Sequence, residues 1–368
     1  MKDSTLSLLL ALGRPLSPAY SALMKARAWA YRRGYLATRK LSCPVISIGN
    51  LSLGGTGKTP HVLAVANWLK SRGISPAVVS RGYGGRAGRG PLVVSDGTSV
   101  PVSPRDAGDE PVMMAEALSG IPVVVGSDRY AGGRLAIERF GAQVIVLDDG
   151  FQHMALFRDV DLVLLPAINF FGTQWVFPGG DLREPVSALS RATAILLTRA
   201  DALSFADQEI GRRELQTMVP GRPVFLSEMR ATRFLSMEGE VKTPDALAGG
   251  PLFAVCALAG PEFFFAILEN LETDLRGKVA FPDHYSYKRD DLSKLMAQAE
   301  KQGAKALVIT HKDRVKIEPI WRELAANDEK PLPVWILEIE ARPEEGLWNM
   351  LEASLNIGKK GPLNLRGE

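Results

Sequence analysis

The chain has 368 residues, 46% apolar and 23% charged, with mean hydropathy near +0.02. These values exclude a disordered chain and a polytopic membrane protein, and a chain this long is expected to divide into two compact units. The net charge of +3 is unevenly placed: the first 40 residues hold eight Lys or Arg against one acid, Asp3, so the remainder is net acidic and offers no face suited to nucleic acid.

That N-terminal segment (1–40) mixes its charges with Leu6, Leu8, Leu9, Leu10, Leu12, Tyr20, Leu23, Met24, Trp29, Tyr31, Tyr35 and Leu36. Its longest apolar stretch, Leu8 to Leu12, falls short of the ~20 residues that cross a bilayer, and Arg14-Pro15 interrupts it. A cleaved secretory signal is not expected, since no strongly basic stretch precedes the run and no small-residue cleavage site follows it. Two readings stay open. One is an amphipathic helix lying in a membrane surface, where each basic residue near anionic lipid is worth about 1 kcal/mol. The other is a helix packed on the protein's own core with a solvated basic rim.

From Pro44 onward, short apolar runs alternate with glycine-punctuated turns and helical patterns. Buried strands are predicted at Val45 to Ile48, Ala77 to Ser80, Val123 to Val125, Val144 to Leu147, Leu162 to Leu165 and Ala194 to Leu197, with helices such as His61 to Ser71 and Pro111 to Leu118 between them. This alternation predicts an α/β parallel-sheet domain over 41–215. A second, smaller α/β domain is predicted over 216–345. Its strands fall near Val224, Phe253 to Cys256, Lys278 to Phe281, Leu307 to Ile309 and Val334 to Leu337, and its helices at Pro261 to Leu271 and Lys288 to Gln302. A helix end and tail complete the chain over 346–368. Cys43 and Cys256 are too few for a disulfide framework, and with four histidines they make no zinc pattern, which points to a reducing compartment.

The strongest local signal follows the first strand: Gly49-Asn50-Leu51-Ser52-Leu53-Gly54-Gly55-Thr56-Gly57-Lys58-Thr59-Pro60, then a helix. A phosphate chain needs closely approaching backbone N–H groups, a helix N-terminus and an ammonium group, and Gly54, Gly55, Thr56, Gly57 and Lys58 supply these in order. Thr59 has the hydroxyl position that meets Mg²⁺ in such loops. The strict pattern would place glycine at 52, where this chain has Ser52. Asp148 and Asp149 end a hydrophobic strand, where P-loop proteins hold the Mg²⁺ shell; one of them also suits a turn. Asp109 and Glu110, on a glycine-led loop, either cap a helix or divide the roles of proton acceptor and metal ligand. The cationic loops Ser80 to Arg86 and Phe177 to Pro185 either grip a phosphorylated substrate or form surface turns. His284 ends a strand of the second domain as a candidate proton relay. Thr198 to Asp201 and Thr310 to Asp313 follow strands as base-reading loops often do.

Taken in order, GNLSLGGTGKTP, SRGYGG, AGDEP, DDGFQH, PGGDLREP, PDHY and THKD resemble the tetraacyldisaccharide 4'-kinase family, the lipid A 4'-kinases, from about residue 40 to 315. The resemblance implies a P-loop NTPase-like domain, a second α/β domain with the active site between the two, and an N-terminal amphipathic helix. It also implies a peripheral enzyme on the cytoplasmic face of the inner membrane, which moves the γ-phosphoryl group of ATP, with Mg²⁺, to the 4'-hydroxyl of a tetraacylated glucosamine disaccharide 1-phosphate. Carried over by motif, Lys58 and Thr59 would meet ATP phosphates and Mg²⁺, with Asp148, Asp149 and Glu110 around the metal. Asp109 would be the general base supported by His284, and Tyr83, Arg129, Gln152, His153, Arg183 and Glu184 would surround the substrate. Two rivals share the phosphate loop: a soluble kinase or ligase acting on a polar metabolite, and a membrane-associated nucleotide switch.

Overall fold

The structure, a computed structural model, describes residues 10–82, 85, 90–326 and 331–357. Tyr83, the leucines at 6, 8 and 9, and the tail from Gly358 lie outside the described residues. The fold is mixed α/β and divides into two compact units, Met1–Met229 with Ala341–Glu368, and Arg230–Glu340.

The first unit opens with helix α1 (Ser17–Arg32), of which only Ser17 is buried. The Ser17 hydroxyl donates to the Val176 carbonyl (2.6 Å) and accepts from the Gly179 N–H (2.9 Å), and Tyr20 meets Phe177 edge-on. Gly179 is required there, since a Cβ on it would lie 2.3 Å from Ser17 Oγ. One end of the helix is therefore tied to the 176–179 loop, while Leu12, Leu16 and Leu23 are 69%, 63% and 60% exposed. Among the described residues no helix is long and apolar enough to cross a membrane.

Then come β1 (Val45–Asn50), α2 (Lys58–Ser71), β2 (Pro76–Ser80), β3 (Leu92–Ser95), α3 (Asp109–Ala117), β4 (Val123–Val125), α4 (Arg129–Phe140), β5 (Val144–Asp148), β6 (Val160–Pro166), β7 (Ala194–Thr198), α5 (Phe205–Met218) and the first half of β8 (Val224–Ser236). Their order in the sheet is β8-β7-β6-β1-β5-β2-β4-β3, parallel throughout except for the β3 edge. Strands β1, β2 and β5 are buried along their whole length, as continuous apolar runs in a sheet covered on both faces must be. Helix α4 shows why helices start where they do: the Asp128 carboxylate accepts from the Tyr130 and Ala131 N–H groups, and Gly141 closes the far end at φ +65. Because β1 lies between β5 and β6, the order turns back at β1, which puts the C-terminal ends of β1 and β5 side by side at a switch point.

The chain leaves this unit within β8. The second unit holds the rest of β8, β9 (Val241–Lys242), β10 (Pro251–Cys256), α6 (Pro261–Asn270), β11 (Asp274–Ala280), α7 (Arg289–Lys301), β12 (Ala306–Thr310), α8 (His311–Ala326) and most of β13 (Val334–Pro343). Its strands run β11-β10-β12-β13-β8, with β10, β11, β12 and β13 pairing in parallel. Helix α9 (Glu345–Leu355) returns to the first unit, where Trp348 stacks on Trp68 of α2 and Glu352 pairs with Arg72 (2.5 Å). Cys43 and Cys256 are buried free thiols.

Candidate active site

Near the end of β1, Gly49 and Gly150 let the turn after β5 lie against the strand. A Cβ on Gly49 would meet Phe151 Cβ at 2.6 Å, and one on Gly150 would meet Ser47 Oγ at 2.7 Å. The glycine loop then runs to Gly57, which caps α2 in the left-handed region at φ +78, where a Cβ would also lie 2.3 Å from Met229 Cε. Lys58 and Thr59 open the helix, and Pro60 sits in its first turn, where no N–H partner is lost. Nothing lies within 4 Å of a Cβ built on Gly54 or Gly55. The front of the loop is open to a ligand.

The segment PGGDLREP is stitched to this loop. Leu53 N–H donates to the Asp181 carbonyl and Arg183 N–H to the Leu51 carbonyl, each at 2.7 Å, and Ser52 bridges Leu182. Arg183 is thereby brought to Asp149, donating from Nη1 at 2.8–2.9 Å to both carboxylate oxygens. Lys58 Nζ lies 3.5 Å from the same group. Burial opposes the charge of Asp149, but Lys58 and Arg183 outweigh it and hold the carboxyl below its usual range. Asp149 has φ +50, the left-handed turn that separates its direction from that of Asp148.

Asp148 behaves oppositely. Burial first, then the negative charges of Asp149 and Glu110, push its pKa up to about 7, although the Ser80 hydroxyl donates to it at 2.8 Å. Two adjacent carboxylates thus differ in charge state near neutral pH. Ser80, the last residue of β2, opens the SRGYGG segment that the sequence offers as a substrate-gripping loop; its bond to Asp148 is what the sequence did not reveal.

Glu110 and Asp109 are half-buried in the first turn of α3. The N-cap position belongs to Gly108 at φ +93, so Asp109 is not the cap. Arg129 is buried, and burial together with Arg81 pulls its pKa down against the support of Asp149, Asp148 and Asp128. His153 is drawn down to about 4 by burial and by Arg129 and Arg158. Gln152 Nε2 donates to the Asn50 carbonyl (3.0 Å), tying the DDGFQH turn to the end of β1. Among the described residues, Arg129 Nε, Arg183 Nε, His153 Nε2 and Thr56 Oγ1 are buried with no hydrogen-bond partner. Glu184 stands apart: it is buried in an ion pair with Arg191 (2.9 Å), whose guanidinium lies over the Phe151 ring.

His284 belongs to the second unit. It sits at φ +60, its N–H donating to Asp283 Oδ1 (3.0 Å), and Asp283 also accepts from Lys312 Nζ (3.0 Å). The two base-reading candidates are occupied as internal ties. Asp313 accepts from Thr310 Oγ1, the Tyr287 hydroxyl and the Ala257 N–H. Asp201 accepts from the Met229 N–H, while Thr198 and Arg199 bond to the glycine loop itself.

A family model described as Tetraacyldisaccharide-1-P 4'-kinase matches residues 9–356. The tetraacyldisaccharide 4'-kinase of Desulfotalea psychrophila is 41% identical over 324 residues, covering 88% of this chain and 92% of its own. The enzyme of that name from Geobacter metallireducens is 40% identical over 335 residues, covering 88% and 96%. A crystal structure of LpxK from Aquifex aeolicus, an "apo" form in complex with ATP, superposes with a TM-score of 0.72 at 30% identity, covering 93% of this chain and 98% of that one.

Proposed function

The chain belongs to the tetraacyldisaccharide-1-P 4'-kinase family, and from that premise we propose that it transfers the γ-phosphoryl group of ATP to the 4'-hydroxyl of a tetraacylated glucosamine disaccharide 1-phosphate. The observation that carries the reading is the open glycine loop leading into Lys58, with Lys58 held against Asp149 at the switch point of the sheet. Phosphoryl transfer asks mainly for positioning and charge neutralisation. The loop amides and Lys58 would orient and neutralise the β- and γ-phosphates, and Arg183, beside them on Asp149, adds a second cation. The orphaned donors of Arg129 and Arg183 suit an anionic ligand.

A transfer of this kind calls for Mg²⁺. Among the described residues no three ligating side chains converge as a ready-made cage, and Mg²⁺ in such sites takes one or two carboxylates with phosphate oxygens and water. The residues present fit that demand, since ionising Asp148 is disfavoured by burial and then by Asp149 and Glu110, and a divalent cation would relieve that penalty. Thr59, Asp148, Asp149 and Glu110 are the residues that would hold it. Bound there, it would neutralise charge on the transferring phosphoryl group.

The acceptor oxygen attacks the γ-phosphorus, the bond to the β-phosphate oxygen breaks, and ADP leaves; Asp109 takes the hydroxyl proton, supported by His284. A positioned base contributes about 10² to 10⁴ in rate, so Asp109→Ala and His284→Ala are each expected to lower kcat by that order. The double variant is expected to lose much less than the product of the two. Multiplicative losses would show that the residues act independently.

A substrate with four acyl chains stays in the bilayer, so the reading places the protein peripherally on the cytoplasmic face of the inner membrane. The exposed leucines of α1 and the segment before it, with the exposed Lys25, Arg32 and Arg33, support this. Replacing Leu12, Leu16 and Leu23 together by Ser leaves the Ser17 anchor in place. It is expected to reduce flotation with anionic phospholipid vesicles about tenfold or more. Equal flotation would give α1 a packing role only.

The test of the reading as a whole is appearance of label from γ-labelled ATP on an acylated disaccharide 1-phosphate. Nucleotide hydrolysis without lipid and no labelled lipid would instead favour a nucleotide switch.

A further inference from the structure

Four successive carbonyls of the glycine loop each accept a hydrogen bond from a side chain. Asn50 Nδ2 donates to Gly54 O (3.2 Å), Arg199 Nη2 to Gly55 O (2.9 Å), Thr198 Oγ1 to Thr56 O (3.0 Å) and His61 Nδ1 to Gly57 O (2.7 Å). The donors come from the end of β1, the end of β7 with the turn after it, and α2 one turn into the helix. In a planar trans peptide the carbonyl of one residue and the N–H of the next point in opposite directions. A side chain that holds the carbonyls of Gly54, Gly55, Thr56 and Gly57 therefore also directs the N–H groups of Gly55, Thr56, Gly57 and Lys58 away from itself.

We propose that Thr198, Arg199 and His61 are positioning residues for the nucleotide's phosphate chain, bracing these peptide planes from behind so that consecutive N–H groups are aligned before ATP arrives. The inference rests on the kinase reading of this loop and assigns the Thr198 to Asp201 segment to the phosphates rather than to the base.

The brace is itself held. Thr198 is completely buried, and its neighbour Arg199 adopts φ +60, a conformation that costs a non-glycine residue energy and is retained where surroundings demand it. Asp201 fastens the same turn to the Met229 N–H, and the Met229 side chain closes on Gly57. His61 is buried and, since its Nδ1–H donates to Gly57 O, its Nε2 is left to accept from the Ser227 hydroxyl at 2.8 Å. Burial draws its pKa down to about 4, so the ring stays neutral and keeps that tautomer. Freely rotating glycine peptides would have to be ordered by the ligand at a cost in affinity, and prior ordering removes that cost.

Thr198→Val keeps the shape of the side chain and removes the donor; Arg199→Met keeps the half-buried stem and removes the guanidinium donor, with circular dichroism as the control for folding. Binding of ATP, ADP and adenosine to the full chain, by calorimetry and competition, is expected to show Kd for ATP and ADP raised about 5- to 10-fold in each variant. Adenosine affinity should stay unchanged, and Thr198→Ser should restore the wild-type values. ATP affinity within twofold of wild type in both variants overturns the brace, as does an equal loss for adenosine. A wild-type chain with no affinity for ATP overturns the kinase reading, and the brace with it.

Discussion

Lys58→Ala is expected to abolish most phosphoryl transfer, lowering kcat/KM for ATP by about 10² to 10³-fold or more, the order lost when one preorganised stabiliser of transition-state charge is removed. The lysine opens α2, where the helix N-terminus and its ammonium group would act on the same phosphate, and its side chain is 16% exposed, so water would replace it poorly. Lys58→Arg is expected to rescue little, because a planar guanidinium does not occupy the place of a compact point charge. The fold should survive, since Asp149 keeps its two contacts to Arg183. The measurement is label transfer to the acylated disaccharide, with circular dichroism as the control for folding. Wild-type turnover in the alanine variant would remove the phosphate loop from the mechanism.

Asp148→Asn is expected to inactivate the enzyme while making the ligand-free protein more stable above neutral pH. Burial and the neighbouring carboxylates push the pKa of Asp148 up to about 7 in the folded chain, from about 4 for an ordinary carboxyl. Between those values the folded state holds a proton that the unfolded chain has released, so this group's contribution to stability falls as pH rises from about 4 to 7 and stays lost above it. Asparagine is neutral at every pH and is still able to accept from Ser80, so it removes the cost. The difference in melting temperature, variant minus wild type, should be near zero at pH 4, grow through pH 5 to 7, and level off at about 3 °C or more by pH 8. A difference that is flat across this range would show that Asp148 is ionised without penalty. A site residue whose replacement stabilises the fold is the usual trade between stability and activity.

The strands of the first unit were legible because a parallel strand buried on both faces is a continuous apolar run: Val144 to Leu147 is read from sequence and Val144–Asp148 is observed. The short antiparallel edge Leu92–Ser95 has no such pattern. Strand β8 was visible only near Val224, because Glu228, Arg230 and Arg233 interrupt its apolar residues although its backbone pairs on to Ser236. The site shows the same division. Lys58, Thr59 and the aspartates at 148 and 149 stand in contiguous motifs whose order along the chain already implies the chemistry. Ser80 and the Thr198 to Asp201 segment were visible as loops after strands, but their partners were not: Ser80 bonds Asp148, Thr198 and Arg199 bond the glycine loop, and His61 bonds the same loop from within α2, contacts that no local spacing encodes.

By itself, then, the sequence determined the alternation of strands and helices, the glycine loop at the mouth of α2 and the family, because these depend on neighbours a few residues apart. Only the tertiary structure decided that Arg183 and Lys58 share Asp149, that burial and like charge separate Asp148 from its neighbour, and that the last helix returns to Trp68 and Arg72 of the first unit. Charge state and side-chain bracing depend on which groups meet through space and how much water is left between them, and no local spacing along the chain encodes either.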